Sequence, residues 1–92
     1  MNEKYVFKLY LTNSSTSIAG QKKISNVEIA LKNAKINYSL EVVNVLESPI
    51  QAIEDGVVAT PTLIQLSPPP KKKIIGKLDN TRELLAELEI EE

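Results

Sequence analysis

Two missing residue types decide what chemistry this chain can do. Its 92 residues contain no cysteine and no histidine, which removes thiolate nucleophiles, disulfide exchange, Cys/His metal sites and every imidazole base. Four groups remain to be weighed. The hydroxyl run Ser14-Ser15-Thr16-Ser17 offers nucleophiles, but a serine needs a base or a pKa lowered by a helix N-terminus, and no base is available; helix capping accounts for the same residues. Glu54 and Asp55 are adjacent carboxylates, and adjacent positions on a helix point apart, so they read as helix solvation rather than as an acid/base pair. Lys71-Lys72-Lys73 suits an acidic partner surface or a solvated edge that blocks strand addition. No aromatic interleaving accompanies that charge, so nucleic acid is not expected. Thr60-Pro61 is a candidate for a structural cis-proline, since cis bonds are essentially a proline phenomenon.

The composition sets the scale within which these groups act. A chain of this length forms one domain, 1–92, that buries about 60–65% of its unfolded surface. It is 42% apolar and 25% charged, with 11 basic against 12 acidic residues, the profile of a globular protein with no basic excess. No apolar run approaches the roughly 18 residues of a membrane span, and Met1-Asn2-Glu3-Lys4 leads into a strand pattern rather than a leader. The expectation is a cytoplasmic protein with no membrane contact, no catalytic residues, no metal and no cofactor.

Positioning these groups falls to a predicted series of seven elements. Residues 5–11 alternate Tyr5, Phe7, Leu9 and Leu11 with Val6, Lys8 and Tyr10, a strand with both sides covered. Tyr5, Phe7 and Tyr10 read as core and subunit contact. Apolar residues at Ile24, Val27, Leu31 and Ala34 predict a helix at about 16–35. Residues 38–46 form a second strand, parallel to the first across the helical crossover. Pro49 opens a short helix at about 49–55, with Ser48 as its cap and Gly56 past its end. Residues 57–66 give a third strand. Pro68-Pro69-Pro70 turns the chain so that 71–75 returns antiparallel, Gly76 stops it, and Asp79 or Asn80 caps a helix over about 82–91. The expected fold is α/β: a thioredoxin-like βαβαββα order, with a mixed four-stranded sheet and helices on both faces.

The last segment carries two signals. Leu84, Leu85 and Leu88 form a helical stripe, while Leu84, Ala86, Leu88 and Ile90 share one face with period two. Propensity favours the helix. Local signals that support two pairings leave a gap of only about a few kcal/mol, the condition for fold switching.

Tyr5-Val6-Phe7-Lys8-Leu9-Tyr10, Glu41-Val42-Val43-Asn44-Val45-Leu46 with Pro49, Ala59-Thr60-Pro61-Thr62-Leu63, Pro68-Pro69-Pro70 and Ile74-Ile75-Gly76 together resemble the KaiB family of clock-associated proteins, in register over about residues 4 to 90. The resemblance implies a non-enzymatic regulator that binds the ATPase ring of a KaiC-type clock or stress-response protein. It also implies two folds: the thioredoxin-like form, and a ground-state form, dimeric or tetrameric, in which a segment including Gly76, Lys77, Leu84, Ala86, Leu88 and Ile90 exchanges helix for strand. Where cyanobacterial members usually carry lysine this chain has Glu47, Gly56 and Gln65, so Lys72 and Lys73 are the basic pair that the resemblance assigns to partner binding. An alternative is a thioredoxin-like sensor module whose partner is a histidine kinase. A third is a glutathione-using enzyme, with Ser14, Ser15 and Ser17 in the loop where a redox relative would place cysteines.

Overall fold

The computed structural model describes residues 4–12, 17–76 and 78–90; Ser14, Ser15 and Lys77 lie outside them. The element order is β1 (Lys4–Leu11), α1 (Ile18–Asn33), β2 (Asn37–Asn44), α2 (Pro49–Glu54), β3 (Thr62–Ser67), β4 (Lys72–Ile75) and α3 (Thr81–Leu88), the order expected from the sequence. The sheet runs β2-β1-β3-β4. β2 is parallel to β1, from Lys4↔Asn37 to Leu11↔Asn44, and β3 and β4 follow as antiparallel neighbours.

The alternation along β1 explains the layers. Phe7, Leu9 and Leu11 project to one face, where they meet Val27, Ala30 and Leu31 of α1 and Leu84, Leu85 and Leu88 of α3. Tyr10 projects to the other face, against Val43, Ile64 and Ala52 of α2. Among the described residues, thirteen buried side chains make up the first cluster and four the second. At about 1.5–3 kcal/mol for each large apolar side chain, most of the hydrophobic stabilisation lies on the α1/α3 face. The α2 layer is thin.

Several boundaries differ from expectation for local reasons. Ser17 is the N-cap of α1 and its Oγ accepts from Gly20 N at 2.9 Å, so the helix starts at Ile18 rather than 16. Lys35, with φ 57°, ends the turn that follows it. Ser48 holds the N-cap position of α2 without a side-chain hydrogen bond. Residues 57–61 are not strand, because Thr62 Oγ1 donates to Ala59 O at 2.6 Å and closes a turn just before β3. The Thr60–Pro61, Ser67–Pro68 and Pro69–Pro70 bonds are all cis.

The helical signal prevails at the C-terminal end. Leu84, Leu85 and Leu88 are buried while Ala86 is exposed, which breaks the period-two face. Asn80 Oδ1 accepts from Arg82 N and Glu83 N, both at 3.0 Å, and caps the start. The end is a Schellman motif with Glu89 in the left-handed region (φ 59°): Glu89 N donates to Ala86 O and Ile90 N to Leu85 O. Ile90 then folds back onto the first cluster.

Candidate interaction surface

The second face of the sheet carries the unusual side chains, and they gather around α2. A six-residue helix cannot stand alone in water, and this one buries only Ala52. Its larger apolar residues, Ile50 at 67% and Ile53 at 72% exposure, point outward, with Leu46 before the helix and Val58 after it exposed as well. β4 adds to this side. Ile64 belongs to the second cluster and its cross-strand partner is Lys73, so Lys73 and, two residues on, Ile75 share the α2 face. Lys73 Nζ donates to Gly56 O at 3.0 Å. Between α2 and the loop that follows it lies a cavity of about 220 Å³ lined by Thr12, Val45, Ala52, Val57, Val58, Ala59 and Thr60.

Beneath this surface sits a polar cluster. Asp55, at the C-cap of α2, accepts from Lys8 Nζ at 3.1 Å and from the Tyr10 hydroxyl, which also lies 3.4 Å from Gln51 O. The Tyr10 hydrogen bond and the Lys8 ammonium hold the Asp55 carboxyl below its usual range, against the opposing effect of burial. Burial, the hydrogen bond to Asp55 and that group's charge push Tyr10 well above the ordinary phenol value. On the opposite face of the sheet, burial and the charge of Glu28 raise Tyr38.

Asp55 thus corrects the reading of Glu54 and Asp55 as a solvated pair. Glu54 is exposed, whereas the Asp55 side chain is 17% exposed and engaged with β1. The sequence places Lys8 and Tyr10 on one strand face, but no local pattern ties that face to Asp55, 47 and 45 positions away.

Lys72 and Lys73 are brought to opposite faces of the sheet. Lys72 Nζ donates to Leu88 O at 2.6 Å and lies 3.3 Å from Glu89 Oε2, on the α3 side, while Lys73 stands at α2. Of the three positions singled out as departures from lysine, Glu47 and Gly56 are exposed, and Gln65 is buried, its Nε2 donating to Pro68 O at 3.0 Å. Pro61 enters β3, and its carbonyl accepts from Gly76 N at 3.0 Å. Gly76 has φ 109°, a conformation that suits glycine at the end of β4. Among the described residues no cluster of His, Cys, Asp or Glu has the grouping needed to hold a metal ion, and no helix is long and apolar enough to cross a membrane.

A family model described as the KaiB domain matches residues 8–90. The chain belongs to the KaiB family. It is 38% identical over 88 residues to the circadian clock protein KaiB3 of Synechocystis sp., an alignment covering 95% of this chain and 84% of that one. It is 40% identical over 91 residues to the circadian clock oscillator protein KaiB of Thermostichus vulcanus, covering 98% and 82%. Among solved structures, the N-terminal domain of SasA from Synechococcus elongatus superposes with a TM-score of 0.67 at 23% identity, over 96% of this chain and 82% of that one. That likeness is one of fold, and it places this KaiB-family chain in the thioredoxin-like arrangement.

Proposed function

We propose that this KaiB-family chain is a non-enzymatic regulator that binds the ATPase ring of a KaiC-type clock or stress-response protein, using the α2 face. The observation that carries this reading is the outward aim of Ile50 and Ile53 on a helix that buries little of its own, next to Lys73 on the same side of the sheet. Protein interfaces combine an apolar centre with a polar or charged rim, and this face has both. The clustered polar groups beneath this face, Lys8, Tyr10 and Asp55, are occupied with each other. Lys72 belongs to the proposal through the family resemblance, with the added role of closing α3.

The test is binding of the purified chain to a KaiC-type hexamer in the presence of ATP, followed by calorimetry or analytical ultracentrifugation. Ile53→Ser should weaken binding about tenfold or more, as expected for removing one apolar anchor, with the fold intact. Wild-type protein that fails to bind any such ring would sink the proposal. The shared fold with the SasA N-terminal domain supports a second reading, a sensor-type module whose partner is a histidine kinase. A pull-down that retains a kinase and not the ring selects that reading.

A further inference from the structure

The geometry of α2 raises the question of what fixes its outward face. Apolar burial does little of it, since only Ala52 of the helix is buried. The seating is polar and comes from β1. Lys8 Nζ and the Tyr10 hydroxyl both donate to Asp55 Oδ2, and Tyr10 reaches on to Gln51 O. Lys8 and Asp55 are 19% and 17% exposed at the side chain, and Tyr10 is fully buried. These donors meet the helix at Gln51 and Asp55, each two residues from Ile53, and Gln51 is the neighbour of Ile50.

We infer that Lys8, Tyr10 and Asp55 are positioning residues for the α2 surface, a latch that fixes where Ile50 and Ile53 stand without itself touching the partner. The binding half of this inference rests on the reading of α2 as the docking face; the latch half can be read on the free protein. The physical argument is preorganisation. A helix held in place presents its anchors without further ordering, whereas an unlatched one must be ordered as the complex forms, and that ordering subtracts from affinity. Removing Asp55 leaves a buried hydroxyl and a largely buried ammonium without their shared acceptor. Removing only the Tyr10 hydroxyl leaves the aromatic packing and the Lys8–Asp55 pair in place.

The experiment uses Tyr10→Phe and Asp55→Asn in the full chain, with amide hydrogen exchange on the free protein and titration against a KaiC-type hexamer. The amides of Asp55, Gly56 and Val57, which bond back to Gln51, Ile53 and Ala52, should exchange roughly tenfold faster, the scale of one lost hydrogen bond. Amides in the centre of β1 and β3 should be unchanged. Ring affinity should fall by roughly five- to tenfold in the same variants. Ile53→Ser should lose affinity with its exchange pattern intact, which separates a contact residue from a positioning one. Unchanged exchange at 55–57, or equal acceleration through β1 and β3, overturns the latch. Selective acceleration with undiminished ring binding overturns the positioning role. If wild-type protein does not bind the ring, the docking reading falls, and the exchange pattern alone decides whether the latch exists. Should Asp55→Asn fail to fold, Tyr10→Phe decides.

Discussion

The ammonium of Lys72 lies 2.6 Å from the carbonyl oxygen of Leu88, so an edge-strand side chain closes the last helix. Leu88 O is one of the carbonyls that a helix end leaves without an intrahelical partner, and α3 has no basic residue of its own in its last turn. Lys72 supplies the missing cation from β4, with its side chain 22% exposed. Lys72→Met should therefore cost about 1–2 kcal/mol, in the range of a partly buried hydrogen bond to a charged group. Lys73→Met, at an exposed site, should change stability by less than about 0.5 kcal/mol. Urea denaturation of the two variants side by side checks the contrast.

Ala86 offers a probe of the helical form that touches little else, because it is exposed in the middle of α3. Ala86→Gly should cost that helix about 1 kcal/mol. If the segment from Gly76 to Ile90 has a competing strand form, as the family resemblance implies, the substitution also shifts population toward it. Backbone chemical shifts over 81–90 report the helix directly, and no change in either stability or shifts would contradict the propensity argument.

Much of the architecture was legible because it rests on local patterns. The alternation of Phe7, Leu9 and Leu11 with Lys8 and Tyr10 announces a two-faced strand, and the sheet uses both faces. The α1 stripe and the Asn80 cap are local in the same sense. What could not be read was the destination of single polar groups. Asp55 looked like half of a solvated pair because its partners, Lys8 and Tyr10, lie 47 and 45 positions away, and no period in the sequence links them. Lys72 and Lys73 looked like a unit because they are adjacent, but adjacency in a strand sends side chains to opposite faces. The start of β3 was set too early because the apolar run at Val57-Val58 continues into a loop, where the Thr62 hydroxyl bonds to Ala59 O and competes with the ladder.

Acid stability should depend on Asp55. Its folded-state pKa is depressed, chiefly by the Tyr10 hydrogen bond and by Lys8, with a further contribution from Lys71. A depressed carboxylate contributes stability that is fully present above the unfolded value of about 4 and is lost as pH falls through the lower folded value. Stability should thus decline below about pH 4 in the wild type, and Asp55→Asn should flatten that part of the curve while lying below the wild type at neutral pH. Tyr10 acts at the other end. Its raised pKa means the contribution is present below about pH 10 and lost as pH rises beyond it, and Tyr10→Phe should remove that alkaline limb. Urea midpoints from pH 2.5 to 11 would show both, and parallel curves for wild type and variants would contradict the assignment.

The partner surface can be tested with one charge rather than two. Reversing Lys72 and Lys73 together would mix two effects, since Lys72 closes α3 while Lys73 stands exposed on the α2 side. Lys73→Glu isolates the surface. An exposed lysine bonded to Gly56 O contributes little to folding, so thermal unfolding should move hardly at all. At an interface with acidic groups the same reversal replaces attraction with like-charge repulsion, which costs on the order of several kcal/mol and slows association most at low salt. Binding to a KaiC-type hexamer should weaken strongly, and the dependence of affinity on salt should become shallower or invert. Lys22→Glu on α1, away from the α2 face, serves as the control for net charge alone. Equal losses from the two reversals would mean that the ring responds to overall charge. No loss from Lys73→Glu would take the interface away from the β4 side of α2 and leave Lys73 as a guard of the sheet edge.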